Sequence, residues 1–297
     1  MAEQKVAVEV DGRTLTLSNL DKVLYPEHGF TKAEVISYYQ QVAPVMIPHL
    51  TDRPATLKRY PEGVEGESFF QKHATEHRPD WIRTEKVQSH SSRGRGGTIE
   101  YVVVDDLPTL IWAANLAAIE LHVPQWRFRD PSQPDLLVFD LDPGAPATIV
   151  ECCQVAIALR PMLKSDGFEP LAKTSGGKGL QLYARLSGKT SDEASELAKS
   201  YAERLEGDRP GLVVSRMTRS LRKGKVLIDW SQNSATKTTV APYSLRARTN
   251  PTVSTPVTWD EVESCRASEE LVFTAEDIPG RLDAHGDLLA PLLSSAR

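Results

Sequence analysis

The 297-residue sequence is poor in sulfur, with three cysteines at 152, 153 and 265 and no CxxC pair. Adjacent cysteines such as Cys152 and Cys153 rarely bridge one another, so no disulfide framework is expected and the thiols read as buried residues of a reducing compartment. A chain of this length buries a substantial core without disulfides or a structural metal. The first ten residues, MAEQKVAVEV, lack a basic-then-apolar leader pattern, and the longest apolar stretch, residues 107–123, is broken by Asn115, Glu120 and His122. Nothing here calls for a membrane segment, and the expectation is a soluble cytoplasmic protein.

Positive charge is also in short supply, with 35 basic against 40 acidic residues and a net charge of −5. The distribution says more than the sum. Residues 251–297 hold nine acids against three arginines, a local −6, so the first 250 residues carry +1. Within them, residues 209–228 contain Arg209, Arg216, Arg219, Arg222, Lys223 and Lys225 and no acid. Such segregation suits a basic groove for a polyanion; a solvated basic loop would show the same pattern.

What is present is a series of well-punctuated elements. TKAE (31–34) has the capping-box form and opens the periodic set Val35, Ile36, Tyr38, Tyr39 and Val42, which predicts a helix over 32–43 ended by Pro44. Residues 107–121 read as a second, buried helix. DLLVFD (135–140), bounded by Pro134 and Pro143, suits a central strand. A helix over 147–165 ending near Gly167 follows, then strands 170–175 and 179–186 joined by a glycine-rich turn. TSDE (190–193) is a further capping box, with a helix to about 206 and Gly207 as its C′ residue, before a strand at 226–230. Residues 61–68 and 89–99 read as loops, the latter basic and flexible. Strand, helix, hairpin, helix, strand is an α+β order, a small sheet with helices on one side. With no repeat and no strongly polar linker, residues 1–297 read as one domain: an N-terminal α/β part at 1–130, a central part at 131–250 that holds the strand–helix–hairpin–helix–strand order, and an acidic segment at 251–297.

Candidate chemistry lies at the strand ends. Asp140 and Asp142 flank Leu141, and residues i and i+2 of a strand face the same way, roughly 6.5 Å apart, so both carboxylates can meet a hard cation. A divalent ion would offset their repulsion, although such DxD pairs are often solvated turn residues. Asp229 follows another apolar run, and three strand-borne aspartates are what a pair of metals requires. SGGKG (175–179) offers small residues, backbone N–H groups and Lys178 in a tight turn. It is either a phosphate cradle or a plain hairpin turn, and it lacks the Walker spacing. His73 and His77 could suggest zinc, but HATEH has Ala74 where a zinc protease has glutamate, and an exposed or structural pair is preferred. His122 reads as either a core histidine or a site residue.

Eight blocks, in order, carry a resemblance: DKVLYP (21–26), RPATLKRYP (53–61), FFQK (69–72), ELHVPQWRF (120–128), VFDLDPG (138–144), KTSGGKGLQLY (173–183), SLRKGKVLIDWSQN (220–233) and KTTVAPYSLRARTNPTV (237–253). Together they resemble the polymerase domain of the bacterial end-joining ligase D family, a branch of the archaeo-eukaryotic primases, over nearly the whole chain. The resemblance implies a primase-type α+β fold of small antiparallel or mixed sheets flanked by helices, with the active site in a cleft between them. It implies a template-directed polymerase that adds nucleotides to 3′ ends at gaps or breaks, with ribonucleotides preferred.

By the same resemblance Asp140, Asp142 and Asp229 would hold two magnesium or manganese ions. Ser175, Gly177, Lys178, Gln181, His122, Arg222, Gln232 and Arg246 would surround the nucleotide. Asn19, Lys22 and Lys32 would hold a DNA 5′-phosphate; Lys32 also falls just after a helix N-cap, where free N–H groups and the dipole favour an anion. Lys58 and Arg59 would touch template phosphates, and Phe69 and Phe70 would stack on a base unless they are core residues. The chain departs from the family at Gln181, where histidine is usual; glutamine can donate to a phosphate oxygen but carries no charge. Implied partners are 5′-phosphorylated DNA, NTP or dNTP, and a separate ligase and end-binding protein, in a nucleoid-associated setting. A metal-dependent nuclease or phosphohydrolase, or a non-catalytic DNA-end-binding module, would share parts of this pattern.

Overall fold

The computed structural model of the chain describes residues 5–88 and 97–293. It divides into two units, one of residues 1–123 with 243–251, the other of residues 124–242 with 252–297.

The first unit opens with strands β1 (Lys5–Val10) and β2 (Arg13–Ser18), an antiparallel hairpin turned by Asp11 and Gly12 at φ 47° and 72°, the backbone that a two-residue hairpin turn demands. Strands β3 (Val23–Tyr25) and β4 (Phe30–Thr31) pair ahead of helix α1 (Lys32–Leu50). The predicted capping box is present: the Glu34 N–H donates to Thr31 Oγ1, and the Thr31 N–H donates to Glu34 Oε2 at 2.7 Å. Pro44, however, does not end the helix. It lies on the solvent face, as does Gln40, whose carbonyl it leaves without a helical N–H, so water can replace the missing bond while Val42, Ala43 and Met46 keep the buried face continuous.

After α1 come β5 (Pro54–Arg59), β6 (Phe69–Gln71), β7 (Thr84–Gln88), β8 (Thr98–Val103), helix α2 (Leu107–Asn115) and β9 (Ala118–Val123). The helix predicted over 107–121 is therefore half helix and half strand. Ala117, at φ 56°, turns the chain between them, and a continuous apolar run gives no period by which to separate a buried helix from a buried strand. Thr98 and Ile99, read as loop, begin β8, while residues 89–96 of that expected loop lie outside the described residues. The sheet runs β9-β5-β8-β7, with β6 on the remaining stretch of β5. Residues 243–251 return to it through buried tyrosine hydroxyls: Tyr38 donates to the Tyr243 carbonyl at 2.7 Å and Tyr25 to that of Arg246 at 3.0 Å.

The second unit contains β10 (Leu136–Pro143), α3 (Ile149–Ser165), β11 (Leu171–Thr174), β12 (Leu180–Arg185), α4 (Ser191–Asp208), β13 (Val213–Val214), β14 (Val226–Asp229), β15 (Thr239–Val240), β16 (Pro256–Val257), α5 (Trp259–Ser264) and α6 (Asp277–His285). Its central sheet is ordered β13-β14-β10-β12-β11-β16, antiparallel except for the β13–β14 pair. The predicted strand–helix–hairpin–helix–strand order is present. α4 differs in detail, running through Gly207 to an Arg209 cap.

Alternation along the strands sorts this sheet into two faces. Leu137, Phe139, Leu141, Leu180, Leu182 and Ile228 point into a core closed by Cys152, Val155, Leu159, Ala198 and Tyr201 of α3 and α4. Asp140, Asp142, Gln181, Lys173 and Asp229 alternate to the opposite face. The thiols of Cys152, Cys153 and Cys265 are free and buried, as expected, and burial pushes all three pKa values up. Among the described residues no helix is long and apolar enough to cross a membrane.

Candidate active site

Strand register assembles the acidic end of the second unit. Asp140 lies opposite Asp229 on one side and opposite Gln181 on the other, and Gln181 lies opposite Lys173. Directly opposed residues share a face with their Cβ atoms about 4.5–5.5 Å apart, so Asp229, Asp140, Gln181 and Lys173 form one row across four strands. Asp142, two residues beyond Asp140, lies on the same face. Hydrogen bonds tie the row together: Gln181 Nε2 donates to Asp140 Oδ1 at 3.0 Å, and Lys173 Nζ to Gln181 Oε1 at 2.5 Å. Loss of hydration, then the charge of Asp142, pushes the Asp140 carboxyl up to about 7. Asp142, although open to solvent, is raised too, by the protein replacing part of its hydration and then by Asp229. The site as folded has too little positive charge for its carboxylates.

Close backbone approach explains two glycines at its rim. A Cβ on Gly179 would stand 2.4 Å from the Leu141 carbonyl oxygen, and one on Gly144 would stand 1.9 Å from that of Arg222. The chains flanking the Asp140–Asp142 segment can therefore close on it only with hydrogen as the side chain. Asn233, buried, grips the same strand, accepting the Val138 N–H at 2.9 Å and donating to the Val138 carbonyl at 2.8 Å.

Ser175 accepts from Gly177 N–H at 3.3 Å and Gly179 N–H at 3.1 Å, so its hydroxyl folds the SGGKG turn, and Lys178 projects into solvent. Two buried atoms beside the carboxylates have no hydrogen-bond partner: Arg222 Nε and Gln232 Oε1. Gln232 Nε2 meanwhile donates to Asp229 Oδ2 at 3.0 Å, while Ser231 holds Oδ1 at 2.6 Å. An orphaned donor and an orphaned acceptor at one sheet end mark places for an anion and a cation.

Among the described residues no three His, Cys, Asp or Glu side chains converge tightly enough to hold a metal as they stand. The donor set nonetheless fits one. Asp140 and Asp142 supply hard oxygens that lack sufficient positive charge, Gln232 Oε1 is a spare acceptor, and Asp229, now held by Ser231 and Gln232, would have to release them to join the set.

The first unit carries the other expected site residues. Phe69 and Phe70 are 46% and 58% exposed, which excludes the core alternative. Each is matched with a cation: Lys58 Nζ lies 5.3 Å from the Phe70 ring and the Arg59 guanidinium 5.2 Å from that of Phe69. Phe70 also meets the His122 ring edge-on at 5.8 Å.

His122 in turn donates from Nε2 to Glu120 Oε2 at 2.9 Å. Glu120 is 3% exposed and was legible in the sequence only as a break in an apolar run; it also takes the Ala247 N–H at 3.1 Å and faces Arg246 Nε at 3.3 Å. Burial would raise the Glu120 carboxyl, but the His122 hydrogen bond and the Arg246 charge outweigh it and hold it down at about 2. His122 is lowered, burial outweighing the pull of Glu120. Because an ionised carboxylate only accepts, the His122 proton sits on Nε2 and the neutral ring keeps Nδ1 as an acceptor.

The expected 5′-phosphate residues sit at the start of α1. Asn19 adopts φ 53°, and Lys22 Nζ meets Glu62 Oε2 at 2.7 Å. Lys32 is buried with Nζ on the Ser18 carbonyl at 2.7 Å. The first-turn N–H groups expected to favour an anion are already used: Lys32 N–H on the Lys22 carbonyl, Ala33 N–H on that of Leu20, and Glu34 N–H on Thr31 Oγ1. His73 and His77 are exposed and lie outside any helix, so the zinc spacing has no physical basis.

A family model for the LigD primase-polymerase domain matches residues 31–289. The multifunctional non-homologous end joining protein LigD of Mycolicibacterium smegmatis is 46% identical over 284 residues, covering 94% of this chain and 36% of that protein. The bifunctional LigD of Bacillus subtilis is 32% identical over 274 residues, covering 92% of this chain and 43% of its own length. The chain thus spans well under half the length of these relatives. Among solved structures, the polymerase domain of Mycobacterium tuberculosis ligase D in complex with DNA superposes with a TM-score of 0.87 at 43% identity, over 95% of this chain and 99% of that one. Polymerase domains of this kind are metal-dependent. The chain belongs to the LigD primase-polymerase family of DNA-directed nucleotidyltransferases.

Proposed function

We propose that this chain fills gaps at broken or gapped DNA during end-joining repair, adding template-directed nucleotides, ribonucleotides by preference, to a 3′ end opposite a 5′-phosphate. The observation that carries the reading is the alignment of Asp229 with Asp140 across two strands, with Asp142 on the same face. In the reaction the primer 3′ oxygen attacks the α-phosphorus, the bond to the β-phosphate oxygen breaks, and pyrophosphate leaves. Two magnesium or manganese ions held by Asp140, Asp142 and Asp229 would lower the pKa of the attacking hydroxyl and neutralise the leaving phosphates.

The chain's own residues do the rest. Arg222 turns its unpartnered Nε to the triphosphate, exposed Lys178 adds a positive charge, and the Ser175 hydroxyl, which accepts from two turn amides, donates its own proton to a phosphate oxygen. Gln181 and Gln232 are the remaining nucleotide residues of the second unit, and Arg246 is that of the first. His122, in the tautomer that Glu120 imposes, offers an acceptor, which suits a sugar hydroxyl better than a phosphate oxygen. Lys58 and Arg59 hold template phosphates while Phe69 and Phe70 stack on a template base, and Asn19, Lys22 and Lys32 receive the 5′-phosphate.

Primer extension on a gapped duplex, with NTPs and dNTPs compared and pyrophosphate followed, tests the reading. Templated extension with one pyrophosphate per nucleotide, abolished by EDTA, is expected. Nucleoside monophosphate release without extension would make the protein a nuclease or phosphohydrolase, and duplex binding alone would make it an end-binding module.

A further inference from the structure

Lys173 has 0% of its surface exposed and sits one residue beyond Gln181 in the polar row, where its positive charge favours the ionised form of Asp140. A buried ammonium is costly unless donors and acceptors are arranged for it. Its Nζ reaches Gln181 Oε1 at 2.5 Å and Ser254 Oγ at 2.6 Å. Both of these partners are neutral, and its charge acts on Asp140, on the far side of the Gln181 carboxamide.

That arrangement removes an ambiguity in glutamine. An ammonium only donates, so it can face the carbonyl end of the amide and not the NH2 end. The Tyr183 hydroxyl, 2.8 Å from Thr239 Oγ1, lies 3.3 Å from the same Gln181 oxygen and can donate to either. Flipping the amide would set N–H groups against the ammonium and turn an oxygen on the Asp140 carboxylate, two repulsive contacts in place of two attractive ones. With Lys173 in place, the Gln181 N–H is delivered to Asp140 Oδ1, which fixes how that carboxylate is presented.

We propose that Lys173 is a positioning residue for the aspartate site, acting through the carboxamide of Gln181 to fix the orientation of Asp140. This rests on the reading of Asp140 as a catalytic carboxylate, so Asp140→Asn is included as a control.

The test is a double-mutant cycle with Lys173→Met and Gln181→Met, which remove the charge and the amide at similar volume. Each single variant should lower kcat by about 10–100-fold, and Lys173→Met, which lies outside the nucleotide site, should keep nucleotide and DNA KM within about threefold of wild type. Mn2+ binding to the DNA-free protein, read by electron paramagnetic resonance, should weaken about tenfold in each. Lys173→Met/Gln181→Met should be no worse than the poorer single variant.

Additive losses would show that Lys173 does not act through Gln181 and would overturn the proposal, as would wild-type kcat and Mn2+ affinity in a folded Lys173→Met. Should Lys173→Met fail to fold, Gln181→Met decides: wild-type Mn2+ affinity there overturns the proposal, and the tenfold loss supports it. An active Asp140→Asn would bring down the reading of the aspartates and this proposal with it. An inactive Asp140→Asn beside an unaffected Lys173→Met would bring down the proposal alone.

Discussion

Glu120 and Asp140 are both acids on sheet strands, each in its own unit, and their surroundings are opposite. Glu120 is met by His122, Arg246 and the Ala247 amide and is held down at about 2. Asp140 receives one N–H from Gln181, faces Asp142 and Asp229, and is pushed up to about 7. The first carboxylate is neutralised by the chain itself. The second is left short of positive charge on a face lined with more carboxylate, the state expected of a group waiting for a cation.

The sharpest way to break that contrast is to remove the deficient group. Asp140→Ala or Asp229→Ala should reduce primer extension at least about 10³-fold with either metal, since groups at the reacting phosphate act in the transition state. Gapped-duplex affinity should stay within a few-fold, because docking relies on other residues. Near wild-type extension by either variant would undo the assignment.

Glu120→Gln should instead act on stability. Losing the charge leaves His122 and Arg246 facing a neutral amide in a buried site, at a cost of about 2–3 kcal/mol. A depressed carboxyl stabilises the fold above its unfolded pKa, and that stability is lost as pH falls from about 5 toward 2. Chemical denaturation across this range should therefore show a steep acid loss in wild type and a flatter one in Glu120→Gln. Parallel curves would mean that Glu120 is not the compensated charge it is taken to be.

Asp140 should show the reverse sign in protein stripped of metal. Its folded pKa is raised, so its contribution to stability is complete below about 4 and declines as pH rises through about 7. Because the group is partly exposed and shares its field with two other aspartates, the effect is about 1–2 kcal/mol rather than the full shift. Asp140→Asn should raise the melting temperature of the metal-free protein at pH 8 by a few degrees and leave it unchanged at pH 4. Equal gains at both pH values would show that packing, not charge, is responsible.

How much of this could be read beforehand depended on whether a residue's role is local. Capping boxes at Thr31 and Thr190 are contained in four residues, and both helices begin where they predict. The DxD alternation and the glycine-rich hairpin are equally local, and they lie where expected. Helix α1 outran Pro44 because only the fold decides which side of a helix meets water. Residues 107–121 misled because burial on all sides erases period. Glu120, Lys173 and Asn233 were passed over as members of longer blocks, since their meaning depends on register with strands up to about a hundred residues away. An i, i+2 reading of Glu120 and His122 would have found the first had the strand been recognised.

Between the compensated and the deficient carboxylate stands a third kind, the solvent-exposed pair of Lys22 and Glu62, with side chains 34% and 73% exposed and 2.7 Å between them. Exposed pairs contribute about 0–1 kcal/mol, so if Lys22 receives a dianionic 5′-phosphate, as proposed, that phosphate would displace Glu62 at little cost. Lys22→Ala should then reduce the preference for 5′-phosphorylated over 5′-hydroxyl gapped DNA by about 1 kcal/mol, roughly fivefold in affinity. Glu62→Gln should increase that preference by a few tenths of a kcal/mol, because the competing carboxylate is gone. Lys32→Ala is the less clean probe, since its ammonium also holds the Ser18 carbonyl and the substitution disturbs the turn itself. Titrating the two DNAs with each variant at fixed ionic strength measures both shifts. A preference that survives Lys22→Ala, or one that Glu62→Gln lowers, would place the phosphate pocket away from the start of α1 and leave the Lys22–Glu62 pair a solvated surface contact.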